Sequence, residues 1–104
     1  MTKQPPVFPD LNEHQRFIFD WQYGYHGDFR KALCQAFMYA DTTNLLRLST
    51  GFPMEAQAFE MFWHVNNWWQ DVDVKVQKYF READAYALEQ RRQQEKNNNG
   101  KTGK

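Results

Sequence analysis

Serine and cysteine occur once each in this chain of 104 residues, at Ser49 and Cys34. A lone cysteine leaves no internal disulfide, which fits a reducing compartment. Reactive cysteines sit among positive charges or at helix starts, and a buried, hydrophobe-like role is the ordinary one expected of Cys34. One Ser and one Cys leave little room for a hydrolytic nucleophile. No Gly-rich phosphate loop, nucleophile elbow or His-Glu-x-x-His occurs. His14, His26 and His64 lack metal-ligand spacing; Glu60 and His64 stand one helical turn apart, a pairing that recurs by chance. The expectation is a protein that is not an enzyme and takes no cofactor and no metal.

Long apolar runs are missing too. No segment approaches the ~20 residues needed to cross a bilayer, so no membrane partner is expected. The opening "MTKQPPVFPD" holds no apolar stretch of the signal-peptide kind. Both point to the cytoplasm.

Charge of one sign is scarce only in total. The formal net charge is zero, yet residues 10–88 carry seven Lys/Arg against eleven Asp/Glu, and residues 89–104 carry five against two. An acidic body with a basic tail lacks the positive face that duplex binding requires.

Aromatic residues are abundant. Nine Phe, five Tyr and four Trp make up 17% of the chain, while the mean hydropathy is only −0.90. Bulky rings must supply much of the burial, at roughly 1.5–3 kcal/mol for each large side chain taken fully out of water. The length supports one domain with one core.

Along the chain, "PPVFP" is an extended arm over residues 1–9, because proline lacks the amide proton and restricts its predecessor. Val7 and Phe8 are placed to pin it. Asp10, with Glu13 as its capping-box partner, is expected to open a first helix. Leu11, His14, Ile18, Trp21 and Tyr25 form its inward stripe, and Phe19 and Tyr23 imply cover on a second side. Gly24 or Gly27 ends it. Asp28 caps a second helix whose stripe is Phe29, Ala32, Leu33, Ala36, Phe37 and Ala40. Asp41, Thr42 or Thr43 caps a short third. "GFP" then reads as a corner: Gly51 as a Schellman-type stop, Phe52 folded back near Leu46 or Arg47, Pro53 opening a fourth helix over 53–65. Its inward stripe is Ala58, Phe59, Phe62 and Val65.

Val72, Val74 and Val76 alternate as a strand would, but Val72, Val76, Tyr79, Phe80 and Ala83 fit a longer helical stripe. The longer pattern, and the lack of any partner strand, favour a helix over 71–91. The polar tail, residues 92–104, cannot bury itself and is expected to be unstructured.

Trp68 and Trp69 are adjacent, so a regular element cannot send both into one core. They either plug a corner between helices or leave one ring outside as an interface anchor. Trp63, Trp68 and Trp69 are the candidate partner-binding residues. Stacking of nucleic-acid bases on these rings is opposed by Asp71 and Asp73 beside them.

Gly27, Phe29, Ala32, Leu33, Ala36, Ala40, Asp41, Asn44, Leu45, Leu48, Gly51, Phe52, Pro53, Glu55, Ala58, Trp68 and Trp69 carry a pattern: Gly-x-Phe, an Ala-Asp exit into Asn-Leu, Gly-Phe-Pro-x-Glu, and a tryptophan corner. In this pattern the chain resembles a family of small helical proteins of bacteriophages and prophages. The match covers about the middle half of the chain; the valine-rich helix and polar tail depart from it. The resemblance implies a phage source acting in the host cell and carries over no activity, cofactor or site residue.

Together these give an all-α bundle of four to five helices spanning residues 10–91, with unstructured ends. The function expected is a non-enzymatic interaction protein that binds a host or phage protein, an inhibitor of a bacterial defence system being one such role by analogy. The alternatives are a nucleic-acid accessory protein using the basic tail and a small homo-oligomeric phage assembly component.

Overall fold

The computed structural model describes residues 4–102, with side-chain surroundings for 4–97. The parts of the arm and tail on residues 1–3 and 103–104 lie outside the described residues. Among the described residues five helices follow the arm: α1 Glu13–Gln22, α2 Asp28–Tyr39, α3 Thr42–Gly51, α4 Pro53–His64 and α5 Trp68–Thr102. No strand occurs among the described residues. The expected all-α class is the one observed.

Each boundary has a local cause, not always the expected one. The N-cap of α1 is Asn12 and not Asp10. Asn12 accepts from the Gln15 amide at 2.8 Å, and the Gln15 side chain accepts from the Asn12 amide at 3.0 Å. The same reciprocal box that Asp10 and Glu13 offered has formed two residues later, where the chain has left the extended arm. At the other end Gly24 adopts φ +74°, with Tyr25 N–H donating to the Asp20 carbonyl at 2.7 Å and Gly24 N–H to Trp21 at 3.4 Å. That is a Schellman stop. It leaves Tyr25 outside the helix and exposed, so Tyr25 is no part of the inward stripe.

Gly27, which has no side chain to cap with, is the N-cap of α2, and Asp28 falls in its first turn. Asp41 caps α3, accepting from the Asn44 amide at 2.8 Å. No Schellman stop forms at Gly51: it is the last residue of α3, and Phe52 serves both as C-cap of α3 and N-cap of α4. Phe52 N–H donates to Leu48 at 2.7 Å while its carbonyl accepts from Ala56 at 2.9 Å. One residue makes the corner, so no left-handed glycine is required. Pro53 takes the first helical position, where a missing donor costs nothing. Asn67 adopts φ 63° and its carbonyl accepts from Asp71, starting α5 three residues before the expected Asp71.

The chain divides into two units, one of Asp10–Val72, the other of Met1–Pro9 with Asp73–Lys104. In the first, α4 packs against both α1 and α3. Its core is Phe17, Ile18, Leu33, Cys34, Phe37, Ala58, Phe59, Trp69 and Val72. Phe59, fully buried, is the hub. Its ring meets those of Phe17 at 5.6 Å, Trp21 and Phe37 at 5.1 Å each, and Trp63 at 5.3 Å. Such pairs add about 0.5–1.5 kcal/mol each beyond area burial. Phe19 is buried off the main stripe, as expected, with Tyr23 and Tyr25 rings at 4.9 and 5.6 Å.

Two expected stripes shift. On α2 the buried residues are Leu33, Cys34 and Phe37, whereas Phe29, Ala32 and Ala36 are exposed. Val65, past the end of α4, is exposed as well.

In the second unit the strand-or-helix ambiguity resolves as helix: Val76 is fully buried while Val74 is 67% exposed. The arm is non-helical and lies along α5, its Phe8 ring edge-on to Tyr79 at 5.1 Å and to Phe80 at 6.4 Å. The polar tail carries helical backbone as far as Thr102. Gln, Arg, Glu and Lys propagate a helix well once it is nucleated, yet every side chain over residues 87–97 faces solvent.

Candidate functional site

The sequence-derived candidates are placed unequally. Trp69 is buried and belongs to the core, Trp68 is half-buried, and Trp63 is 38% exposed with one face stacked on Phe59. The adjacent tryptophans therefore part at the corner that starts α5, one ring going inward. Trp63 alone of the three keeps a substantial free surface.

The polar candidates are occupied internally. The Ser49 hydroxyl donates to the Leu45 carbonyl at 2.7 Å. His26 is buried, with Nε2 3.0 Å from the Phe17 carbonyl. A carbonyl only accepts, so that nitrogen carries the proton. His14 Nε2 lies 3.0 Å from Gln57 Oε1, linking α1 to α4. Among the described residues no group of three His, Cys, Asp or Glu is placed to hold a metal ion. Burial pushes the Cys34 thiol up from 9.0 to about 11; nearby Arg30 opposes the shift and Glu55 adds to it. The protonated thiol is the poor nucleophile of the pair, so Cys34 acts as a core side chain. No helix among the described residues is long and apolar enough to cross a membrane.

A larger feature lies between α2 and α3. α2 and α3 bound an open groove of about 420 Å³. Ala36, Tyr39 and Ala40 form one wall, Asn44, Arg47 and Leu48 the other, and Phe52 closes the end. Phe29 extends this surface, its ring 6.2 Å from that of Phe52. Phe29 is 69% and Tyr39 86% exposed. Phe52, expected near Leu46 or Arg47, shares the groove lining with Arg47, and its ring lies beside that of Phe29. Arg47 is the single charged residue in the lining, and Asn44 adds an amide. The chemistry offered is a shallow apolar seat with one guanidinium and no acid–base pair.

Two apolar arcs overlap on α2. One, Leu33, Cys34 and Phe37, enters the core; the other, Phe29, Ala32, Ala36 and Ala40, is left toward the groove. A helix apolar over more of its circumference than one core can cover was the signal available in the sequence.

No family model, curated protein or solved structure gives a significant match to this chain.

Proposed function

We propose that this is a non-enzymatic interaction protein, of phage origin, that docks a host or phage protein through the α2–α3 groove. The observation that carries the reading is the exposure of Phe29 and Tyr39 beside a groove lined otherwise by Ala36, Ala40, Leu48 and Phe52, with Asn44 and Arg47 as its polar members. Exposed large rings clustered around a concavity are enriched where partners bind, because each withdraws a large area from water at little entropic cost. The partner presents an apolar side chain for the groove and a carboxylate for Arg47, whose fork of donors suits that group. Six groove positions, Phe29, Ala36, Ala40, Asn44, Leu48 and Phe52, also lie in the sequence pattern that resembles the phage family. Inhibition of a bacterial defence protein is one role such docking can serve, by analogy.

The test is affinity capture from bacterial extract with the intact chain, with a Phe29→Ala/Tyr39→Ala variant and with Trp63→Ala. A partner held by wild type and Trp63→Ala, but lost with the double variant at unchanged thermal stability, supports the groove. Loss with Trp63→Ala alone moves the site to the tryptophan corner. A partner indifferent to all three sets this reading aside.

A further inference from the structure

The second unit holds a different feature. Its arm is proline-rich, with Pro6 and Pro9 in Pro-x-x-Pro spacing. Proline fixes its own φ and lacks a donor, so such a segment stays extended and tends toward a three-residue repeat. At ~3.1 Å per residue, Pro6 and Pro9 are about 9 Å apart on one face. Two turns of α-helix, Tyr79 to Tyr86, span about 10.5 Å. The repeats nearly match, and the arm runs antiparallel to α5 in that register. Pro6 lies with Glu82, Ala85 and Tyr86, and Pro9 with Lys75, Lys78, Tyr79 and again Glu82. Between them Phe8 sets its edge against Tyr79 and Phe80, whose own rings are 5.5 Å apart. Val7 borders the hollow at the Pro9 end and is 87% exposed.

The arm does not fill its seat. A hollow of about 280 Å³ remains at the Pro6 end and another of about 250 Å³ at the Pro9 end. Aromatic rings spaced to receive prolines, with open volume beside each, are the chemistry of sites that read extended proline-rich segments. The charges give direction: at the Pro9 end Lys75 and Lys78 outnumber Glu82, which lines both hollows, and favour a carboxylate following the second proline.

We infer that this face of α5 is a binding site for a proline-rich segment of a partner protein, of Pro-x-x-Pro type with an acidic residue after the second proline. The chain's own arm is its occupant in cis. The partner segment competes with the arm, and the hollows at Pro6 and Pro9 admit bulkier neighbours than the arm supplies. This site is separate from the α2–α3 groove, and neither reading depends on the other.

The probe is a synthetic peptide of residues 4–11, Gln-Pro-Pro-Val-Phe-Pro-Asp-Leu, titrated calorimetrically into two full-length chains, wild type and Phe8→Ala. A tethered arm competes at a millimolar effective concentration. Weakening it should therefore raise peptide affinity by about tenfold or more over wild type. Replacing all three peptide prolines by alanine, or adding Tyr79→Ala to the Phe8→Ala chain, should remove that binding. If Phe8→Ala loses its helical circular dichroism, a full-length Pro6→Ser/Pro9→Ser chain, which keeps Phe8, takes its place. Equal peptide affinity for the two chains, equal affinity of the proline-free peptide, or no binding to a natively folded arm variant overturns the proposal. So does a concentration-dependent dimer of wild type that the peptide leaves intact, since a second copy would then cover the face.

Discussion

The Phe17 ring stands edge-on to Phe59, with centroids 5.6 Å apart and planes at 87°. α1 delivers one ring and α4 the other, so this contact joins the two helices through a quadrupole-matched pair. Phe59 also carries the rings of Trp21, Phe37 and Trp63. Phe59→Ala should cost about 3–5 kcal/mol, and Phe59→Leu distinctly less. Urea denaturation followed by tryptophan fluorescence checks this; a loss under about 1 kcal/mol for the alanine variant would remove Phe59 as hub.

The glycines separate by backbone conformation. Gly24 sits at φ +74° in the Schellman stop, where a β-carbon is strained although no atom lies within 4 Å of it. Gly51 has no such φ and equally open surroundings inside a helix. Gly24→Ala should therefore destabilise by about 1 kcal/mol, and Gly51→Ala should stabilise by up to about 1 kcal/mol. Thermal melts of the two variants should move in opposite directions; the same direction for both contradicts the corner geometry described for Phe52.

The buried Cys34 thiol makes a pH prediction. Its folded pKa, about 11, is above the ordinary 9.0. Below pH 9 both states hold the proton and stability is unaffected. As pH rises from 9 to 11 the unfolded chain loses the proton first, so stability falls, by up to about 1.4 kcal/mol per pH unit. Unfolding curves of wild type and Cys34→Ala at pH 8 and pH 10.5 should diverge at the higher value; parallel curves would show that Cys34 does not titrate with unfolding. Alkylation of the native thiol at pH 8 should be slow and should track global unfolding.

At the groove, Phe29→Ala and Tyr39→Ala should each change stability by less than about 0.5 kcal/mol, because both rings already face water. Arg47→Glu should leave the fold intact while abolishing capture of a partner that presents a carboxylate. A large loss of stability in these variants would mean that the rings are structural and the groove is no free surface.

Much of the helical layout could be read from the chain itself. Val76 and Val74 show why: a period of 3.6 over many residues outweighs a period of two over five, and the buried and exposed valines fall accordingly. Asp41 as a cap, Pro53 as a first helical residue and the choice of helix over strand are local events, decided within a few residues of backbone. The exact caps were harder, since Asp10 and Asn12 offer the same chemistry and only the course of the arm selects between them.

By itself, then, the sequence determined most of the secondary structure, the helical backbone of residues 92–102 excepted, together with the lack of a disulfide and the need for rings to make the core, because periodicity, proline and composition act locally or in sum. It could not decide which ring of Trp68 and Trp69 goes inward, that Cys34 displaces Ala36 from the buried face, or that Phe29 and Tyr39 stay in water. Those outcomes depend on which arc of each helix meets a neighbour. A core of this size covers only part of an apolar circumference, and the tertiary packing of α1, α3 and α4 chooses the part.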